Sequence, residues 1–310
     1  MGNPRPPLRI PGIAYLLAVL VVFFTVFGTR FASAPNLLNV GTQSSILLLL
    51  ALPMTLIIMT EGLDLSMGAV MGLSGVVLAM LLVKGTSLPA AFAMALGVGT
   101  IFGIANGLLV VALEMPPFVA TLGMLGVAEG IALVLTDGQS VVGIGSALPA
   151  VYSNRWLGIP FSIVVAVLAY AAFHYFLYHT RAGTYVFALG GNREALILAG
   201  VPANRYHVFI YLLGGLMAGM GAFLLTGRMS GGHPTAAIGM EFDAVVAVII
   251  GGTKLERGDG WLPGSVLGVL TVGVLKNGLN VMAVPSSLQI ASIGLLVIVA
   301  LLMDSLRGNS

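Results

Sequence analysis

Long apolar runs follow one another along almost the whole chain, and this feature limits the possible folds more than any other. Hydrophobic residues make up 58% of the 310 residues and charged residues only 8%, whereas a soluble domain carries about 25% charged residues. A water-soluble fold cannot bury this much apolar surface, and a membrane-spanning helix needs about 20 apolar residues. We therefore expect an all-α integral membrane protein whose surface is largely covered by the lipid bilayer.

The apolar runs predict about ten transmembrane helices. The predicted ranges are 13–29, 42–60, 65–83, 89–112, 117–136, 160–179, 206–228, 243–252, 263–282 and 288–304. The eighth range is too short to cross a hydrocarbon core of about 30 Å, so a re-entrant or broken segment is expected there. One membrane domain over 13–304 is predicted, with polar tails at 1–12 and 305–310. The first run is interpreted as a retained span, with a cleaved signal peptide as the alternative.

The basic residues test the orientation of these spans. If the N-terminus is cytoplasmic, eight cations lie inside: Arg5, Arg9, Arg181, Arg193, Arg205, Lys254, Arg257 and Arg307. Four lie outside, namely Arg30, Lys84, Arg155 and Arg228, and Lys276 falls within a span. This excess agrees with the positive-inside rule. We therefore expect a multi-pass membrane protein with both termini in the cytoplasm.

Two stretches of the chain resemble each other and predict an internal repeat. Asn106-Gly107-Leu108 is matched by Asn277-Gly278-Leu279, and an acidic residue precedes each, Asp64 in one half and Asp243 in the other. The two units begin five predicted spans apart, and an odd offset reverses their direction in the membrane. Transporters commonly have such inverted repeats, with the solute path at the repeat interface. Chance similarity between two glycine-rich helices is the alternative.

Polar residues at membrane depth are the candidates for the translocation path. Asp64 and Ser66 lie between two apolar runs, Glu241 and Asp243 precede the short eighth range, and Asn106 and Asn277 lie within spans. Carboxylates at membrane depth usually face a cavity or the interior of the bundle. Three structural alternatives remain open. Ser66 can cap the following helix, Asp64 can belong to a tight turn, and each asparagine can hydrogen-bond neighbouring helices together.

A polar stretch between the sixth and seventh predicted spans is the candidate docking site for a soluble partner. It contains Gly191, Asn192, Arg193, Glu194, Ala195 and Gly200. Residues 194–198 predict one or two helical turns that end at Gly200 and Pro202. A plain solvated loop is the alternative.

Several kinds of chemistry have no sequence support. The chain has no cysteine and no P-loop sequence, and its four histidines lack the spacing of a zinc protease. The net charge of +2 does not indicate a nucleic-acid surface. The spans also lack the rows of acids or bases expected of a proton-coupled carrier. The sequence therefore gives no support for ATP binding in a P-loop, for a zinc-protease site, for nucleic-acid binding or for proton coupling by this chain.

Four motifs in a fixed order resemble the ABC permeases of the ribose, xylose and arabinose type. The stretch 62–68 is similar to their "GIDLSVGS" motif, and 190–201 to their "GGNxxAA…SGI" loop. The stretch 241–253 resembles "ELDAIAAVVLGGT", and 260–280 resembles "GxxxGxxxGxxxxGxxxNGLN". The resemblance covers residues 37–304. It departs from the family at Glu61, where glycine is usual, and at Glu129, where arginine is common.

This resemblance implies the permease subunit of a bacterial inner-membrane importer for a monosaccharide or a sugar-like solute. Such a subunit is expected to be a transport protein without its own cofactor and not an enzyme. Two permease subunits, alike or different, would pair with two ATPase subunits and a periplasmic solute-binding protein. The ATPase would bind ATP and magnesium and would act through the coupling loop at Glu194, Ala195 and Gly200. Two alternatives remain, an ion-coupled secondary transporter, which the inverted repeat also suits, and a membrane enzyme.

Overall fold

The structure, a computed structural model, describes residues 12–254, 258–285, 287–289, 291–295 and 298. Most of these residues are helical. In chain order the helices are α1 (Gly12–Phe27), α2 (Ala34–Met59), α3 (Met67–Val83), α4 (Leu88–Val111), α5 (Pro117–Thr136), α6 (Ala147–Ser153), α7 (Phe161–His179), α8 (Arg181–Gly191), α9 (Arg193–Leu198), α10 (Ala203–Met229), α11 (Met240–Ile250) and α12 (Leu262–Val281). The described ranges also contain the two-residue strands β1 (Val141–Val142), β2 (Arg155–Trp156), β3 (Ile159–Pro160) and β4 (Gly231–Gly232).

Six helices of the described ranges are long and apolar enough to cross a membrane. They are α2, α4, α5, α7, α10 and α12. Helices α1 and α3 are also apolar but shorter, with 16 and 17 residues. Each of these eight helices overlaps one predicted span. The predicted tails, apart from Gly12, and much of the predicted span 288–304 lie outside the described residues.

Helix α2 begins at Ala34, well before the predicted start at residue 42. Its first turns carry Asn36, Asn39 and Gln43, which interrupt the apolar run on which the prediction depended. In the folded chain Asn36 exchanges hydrogen bonds with Asn277 of α12, and Gln43 donates to Asn39 one turn earlier. The helix continues through these polar positions because their side chains have partners.

The predicted short eighth segment corresponds to α11, which has 11 residues. At 1.5 Å per residue this helix covers about 16 Å, roughly half of a 30 Å hydrocarbon core. The chain between β4 and α11 is irregular and lies along α3, where Gly68 and Gly72 leave room for its backbone. A β-carbon at Gly72 would lie 2.8 Å from the carbonyl oxygen of Pro234. The segment from β4 to α11 is therefore a half-helix preceded by an irregular stretch.

Helices α4 and α10 make the most extensive helix–helix contact among the described residues. Gly99, Gly103 and Gly107 recur every fourth residue of α4 and face α10. A β-carbon at Gly103 would lie 2.5 Å from the carbonyl oxygen of Tyr211, and one at Gly99 would overlap the carbonyl oxygen of Gly215. Small residues at this spacing let two helix backbones approach closely in a membrane.

This contact predicts opposite effects of alanine at two glycines of α4. Gly99→Ala is expected to destabilise the protein by about 2 kcal/mol, because the new methyl group must push α10 away. Gly97→Ala is expected to be neutral or to stabilise by up to about 1 kcal/mol, because no atom lies within 4 Å of its β-carbon position. Thermal unfolding of the purified variants measures both effects. Equal melting temperatures would contradict the close contact.

The two ends of the bundle carry different elements. Strand β1, which follows α5, pairs antiparallel with β4, which follows α10, so α5 and α10 end on the same side. Helix α6 and the hairpin of β2 and β3 also lie there, since Tyr152 of α6 contacts Gly227 near the end of α10. Helices α8 and α9 precede α10 and therefore lie on the opposite side. We call these sides the strand end and the α9 end.

Candidate functional site

The seven residues between α2 and α3, which we call the 60–66 break, contain the first candidate acid. The Asp64 carboxylate accepts hydrogen bonds from the Ser66 backbone N–H at 2.9 Å and from the Ser66 hydroxyl at 2.7 Å. The amide of Asn106, on α4, donates to both carboxylate oxygens at 3.2 and 3.3 Å and to Ser66 Oγ at 2.7 Å. Asp64, Ser66 and Asn106 are all buried. The fold thus brings three predicted site residues into one polar cluster.

Ser66 occupies the N-cap position of α3, but its hydroxyl makes no capping bond to the helix. The alternative in which the Ser66 side chain caps α3 is therefore wrong. The reason is that the Ser66 hydroxyl donates instead to Asp64, two residues earlier, and hydrogen bonds to a charged acceptor are the stronger ones.

Other helices hold the same break in place. Thr121 of α5 donates to the carbonyl oxygen of Leu63 at 3.1 Å. Tyr211 of α10 is fully buried, and its hydroxyl lies against Gly62, where a β-carbon would approach it within 2.7 Å. Three helices therefore fix the 60–66 break, and Tyr211 is a contributor that the sequence analysis missed.

Glu61, the departure noted at the start of the first motif, has a left-handed backbone conformation with φ of 63°. Glycine adopts this region without steric penalty, whereas other residues do so less readily. The glycine usual at this position in the family therefore has a physical reason in this fold, and glutamate is accommodated on the exposed side of the break.

The second pair of candidate acids lies at the start of α11. Glu241 is buried, and its carboxylate accepts hydrogen bonds from the Gly239 backbone N–H at 3.0 and 3.1 Å. It lies against Gly68, the second residue of α3, so the start of α11 meets the start of α3. Asp243 forms an ion pair with Lys276 of α12. Lys276 was predicted to lie within a span, but its pairing with Asp243 was not predicted.

Lys276 is expected to stabilise the half-helix α11 through this ion pair. Its side chain is 37% exposed, so we expect Lys276→Met to destabilise the protein by only about 1–2 kcal/mol. Adding Asp243→Asn to Lys276→Met should restore part of this loss, because it removes the unpaired carboxylate. Thermal unfolding of the two single variants and the double variant measures the coupling. Strictly additive effects would show that the pair contributes nothing.

Asn277 has a different environment from Asn106. Its side chain exchanges hydrogen bonds with Asn36 of α2 at 2.8 and 3.1 Å, and it makes no bond to Asp243 in the described structure. The two amides join α12 to α2, as expected of an asparagine that holds neighbouring helices together. Among the predicted path residues, Asn277 therefore lies apart from both acidic sites.

The polar stretch 191–200 contains the predicted short helix, α9. Asn192 caps it by accepting a hydrogen bond from the Ala195 backbone N–H at 2.9 Å, and Gly200 follows it with φ of 77°. Leu196 is buried, whereas Glu194 and Leu198 are exposed, Leu198 to 88%. The amphipathic helix α8, which packs just before it, was not predicted. Its start is capped by Thr180, whose hydroxyl accepts from the Gly183 backbone N–H at 3.1 Å.

Helix α8 connects this surface to the 60–66 break. A β-carbon at Gly190, near the end of α8, would overlap the carbonyl oxygen of Met59, which is the last residue of α2. Arg193 donates to Asn204 at the start of α10 at 2.8 Å. The α8–α9 surface therefore touches α2 directly before the break and α10 at its first turn.

Comparison with known proteins gives a consistent assignment. Residues 36–303 match the family described as branched-chain amino acid transport system, permease component. The ribose import permease protein RbsC of Bacillus subtilis is 37% identical, over 93% of this chain and 90% of its own length. The D-allose transport system permease protein AlsC of Escherichia coli is 31% identical, over 95% of this chain and 91% of its own length. The fructose import permease protein FrcC of Rhizobium meliloti is 34% identical, over 96% of this chain and 85% of its own length.

A solved ABC transporter, described as of the metal-chelate type and inward-facing, shares the fold. It superposes with a TM-score of 0.56 over 93% of this chain and 97% of its own chain, at 12% sequence identity. The family match covers most of the chain, and the relatives align along nearly their whole lengths. This chain therefore belongs to the ABC importer permease family described as branched-chain amino acid transport system permease components.

Proposed function

We propose that this chain moves a monosaccharide or a sugar-like solute into the cytoplasm as the membrane-spanning permease subunit of an ABC importer. The observation that carries the proposal is the full-length similarity to permeases named for ribose, allose and fructose. The described spans contain no continuous row of ionisable residues that an ion-coupled carrier would use. The secondary-transporter alternative is therefore not favoured.

The partners of this subunit follow from the same family. A separate ATPase subunit would bind ATP and magnesium and would supply the energy. A periplasmic solute-binding protein would deliver the solute at the strand end. A second permease subunit, identical or related, would complete the channel in the inner membrane. With the positive-inside arrangement of the basic residues, the α9 end and both termini would lie in the cytoplasm.

Coupling to the ATPase is assigned to the α8–α9 surface, through Gly191, Asn192, Arg193, Glu194, Ala195 and Gly200. The exposed side of α9 offers an apolar tip at Leu198 beside the charged Glu194. A force on α9 would reach Met59 through Gly190 of α8, and thus the 60–66 break. This contact supports a direct mechanical route from the ATPase to the candidate path.

The ten-span inverted repeat remains part of the proposal, and the helix packing supports it. Helix α2 packs on α12 as α10 packs on α4, and α3 contacts α10 as α11 contacts α2. Exchanging α2, α3 and α4 with α10, α11 and α12 therefore maps each of these contacts onto another. The two units also run in opposite directions, because α2 ends at the α9 end and α10 begins there.

The translocation path is assigned to the region where the interrupted segments of the two units meet. Gly68, just after the 60–66 break, lies against Glu241 at the start of α11. Asp64, Ser66 and Asn106 would shape one wall of this region, and Glu241 and Asp243 the other. Irregular backbone at membrane depth is tolerated where it is buried in protein or lines a cavity. Asn277, also a candidate, would act on the path only through the packing of α12.

Reconstitution in proteoliposomes tests the function. The chain, the ATPase and the solute-binding protein of the same importer are combined, and uptake of radiolabelled ribose, allose and fructose is measured. We expect uptake that requires all three proteins and that also requires ATP on the side of the membrane where the ATPase is bound. Sodium or proton gradients should drive no uptake by the chain alone. Gradient-driven uptake by the isolated chain would instead establish the secondary-transporter alternative.

A further inference from the structure

A cavity of about 360 Å³ lies between α7 and the tightly packed pair of α4 and α10. Phe92 of α4, Leu168 and Ala169 of α7, and Met217 and Phe223 of α10 are among its lining residues. All the lining residues are apolar. The cavity takes no part in the proposed solute path, because a sugar would lose its hydrogen bonds to water there without replacement.

The cavity exists because α7 stands apart from α10 between two aromatic bridges. Toward the strand end, the rings of Phe161 and Phe223 are 6.4 Å apart, and toward the α9 end the rings of Phe176 and Phe209 are 5.8 Å apart. Helix α7 otherwise packs mainly on α2 and on α8. The small side chain of Ala169 faces the space between the two bridges. The result is a cleft between α7 and α10 that lies between these two aromatic contacts and is open along its side.

The open side of this cleft continues into the lipid-facing surface of α7. Leu168 lines the cavity and is 65% exposed, and its neighbour Val167 is exposed as well. Helix α7 is one of the helices long and apolar enough to span a membrane. Water has no polar partner in such a cavity, and an empty cleft would leave its walls without dispersion contacts. The surrounding bilayer supplies an occupant of the right chemistry.

We propose that this cleft binds one acyl chain of a bilayer phospholipid, held between α7 and α10. The site takes a flexible hydrocarbon chain and recognises it by shape and by the aromatic walls at Phe92 and Phe223, which lie 4.5 Å apart between ring centroids. The bound chain replaces the direct packing that α7 and α10 lack. This site is independent of the solute path and of the coupling surface.

The test uses the full chain in nanodiscs that contain phosphatidylethanolamine with a photoactivatable diazirine in one acyl chain. After illumination, mass spectrometry of the peptides locates the labelled residues. We expect labelling at residues 165–169 and 217–223 that survives exchange into detergent before illumination. Ala169→Phe fills the cleft and should reduce this labelling at least fivefold. The matched control is Ala172→Phe, an exposed position on the same helix, which should label like the original chain.

The possible outcomes distinguish a specifically bound acyl chain from the general lipid shell and from a second copy of the protein. Equal labelling of Ala169→Phe and Ala172→Phe would overturn the proposal, because it would show only the general lipid shell. A photoactivatable amino acid placed at residue 168 tests for a protein occupant, and cross-links from it to a second copy of the chain would overturn the proposal. If Ala169→Phe fails to fold, Met220→Trp fills the cleft from α10 instead. If both variants fail to fold, native mass spectrometry of the original chain decides. One retained phospholipid supports the site, and the absence of any retained phospholipid refutes it.

Discussion

Replacing Leu198 with aspartate is expected to abolish co-purification of the chain with its ATPase and to reduce ATP-driven uptake at least a hundredfold. Leu198 is the most exposed apolar residue of α9, at 88%, and on the proposed function it docks into the ATPase. Burial of a leucine contributes about 1.5–3 kcal/mol, and an unpaired buried carboxylate costs several kcal/mol more. Each 1.4 kcal/mol is a factor of ten in affinity. The variant should still insert and fold, because Leu198 makes no core contact.

Leu157 provides the matched control for this experiment. It is also a fully exposed leucine, at the tip of the β2–β3 hairpin on the strand end of the bundle. Leu157→Asp introduces the same charge at the opposite side and should leave ATPase co-purification unchanged. Size-exclusion chromatography of both variants verifies their folding. Retention of the ATPase by folded Leu198→Asp would remove α9 from the coupling interface.

The positions of the long helices were predictable because each requires an apolar run that few other structures tolerate. The prediction was less accurate where polar residues enter a helix. Helix α2 begins earlier than expected because Asn36 forms a hydrogen bond with Asn277 on α12, which lies 241 residues away in the sequence. Helix α8 was missed because it is amphipathic, with one apolar and one polar face, and therefore contains no long apolar run. It also follows α7 almost without interruption. In both cases tertiary contacts determined the helix bounds.

The candidate site shows the same division between residue type and residue pairing. Buried acids and asparagines within spans were recognisable from their chemistry, so Asp64, Asn106, Asp243 and Asn277 were all named in advance. Their partners depend on how helices pack, and the repeat suggested equivalent roles for the two asparagines. The structure instead joins Asn106 to Asp64 and pairs Asp243 with Lys276. Similarity between two stretches of the sequence does not determine which neighbour a polar side chain reaches.

The Asp64 cluster predicts a severe effect for one substitution and a mild effect for another. Asp64→Ala removes the acceptor for the Ser66 hydroxyl and the Ser66 N–H and weakens the hold on Asn106, all in a fully buried setting. Hydrogen bonds to a charged group contribute about 1.5–3 kcal/mol, and unsatisfied buried donors cost a similar amount. We therefore expect a loss of roughly 3 kcal/mol in the free energy of unfolding. Thermal unfolding in detergent measures it.

Asp64→Asn separates the shape of the 60–66 break from the charge of its carboxylate. The asparagine oxygen can still accept from Ser66. Because the Asn106 N–H₂ group faces residue 64, the Asn106 amide must rotate so that its Oδ1, which has no hydrogen-bond partner among the described residues, accepts from the new N–H₂ group. If Asp64 acts by holding the break, Asp64→Asn should fold, lose less than about 1 kcal/mol of stability and retain most ATP-driven uptake. We expect this result because the Ser66 N–H, the Ser66 hydroxyl and the Asn106 amide all donate to this carboxylate and so hold the break. A folded Asp64→Asn protein whose uptake falls more than tenfold would show instead that the solute meets the negative charge itself.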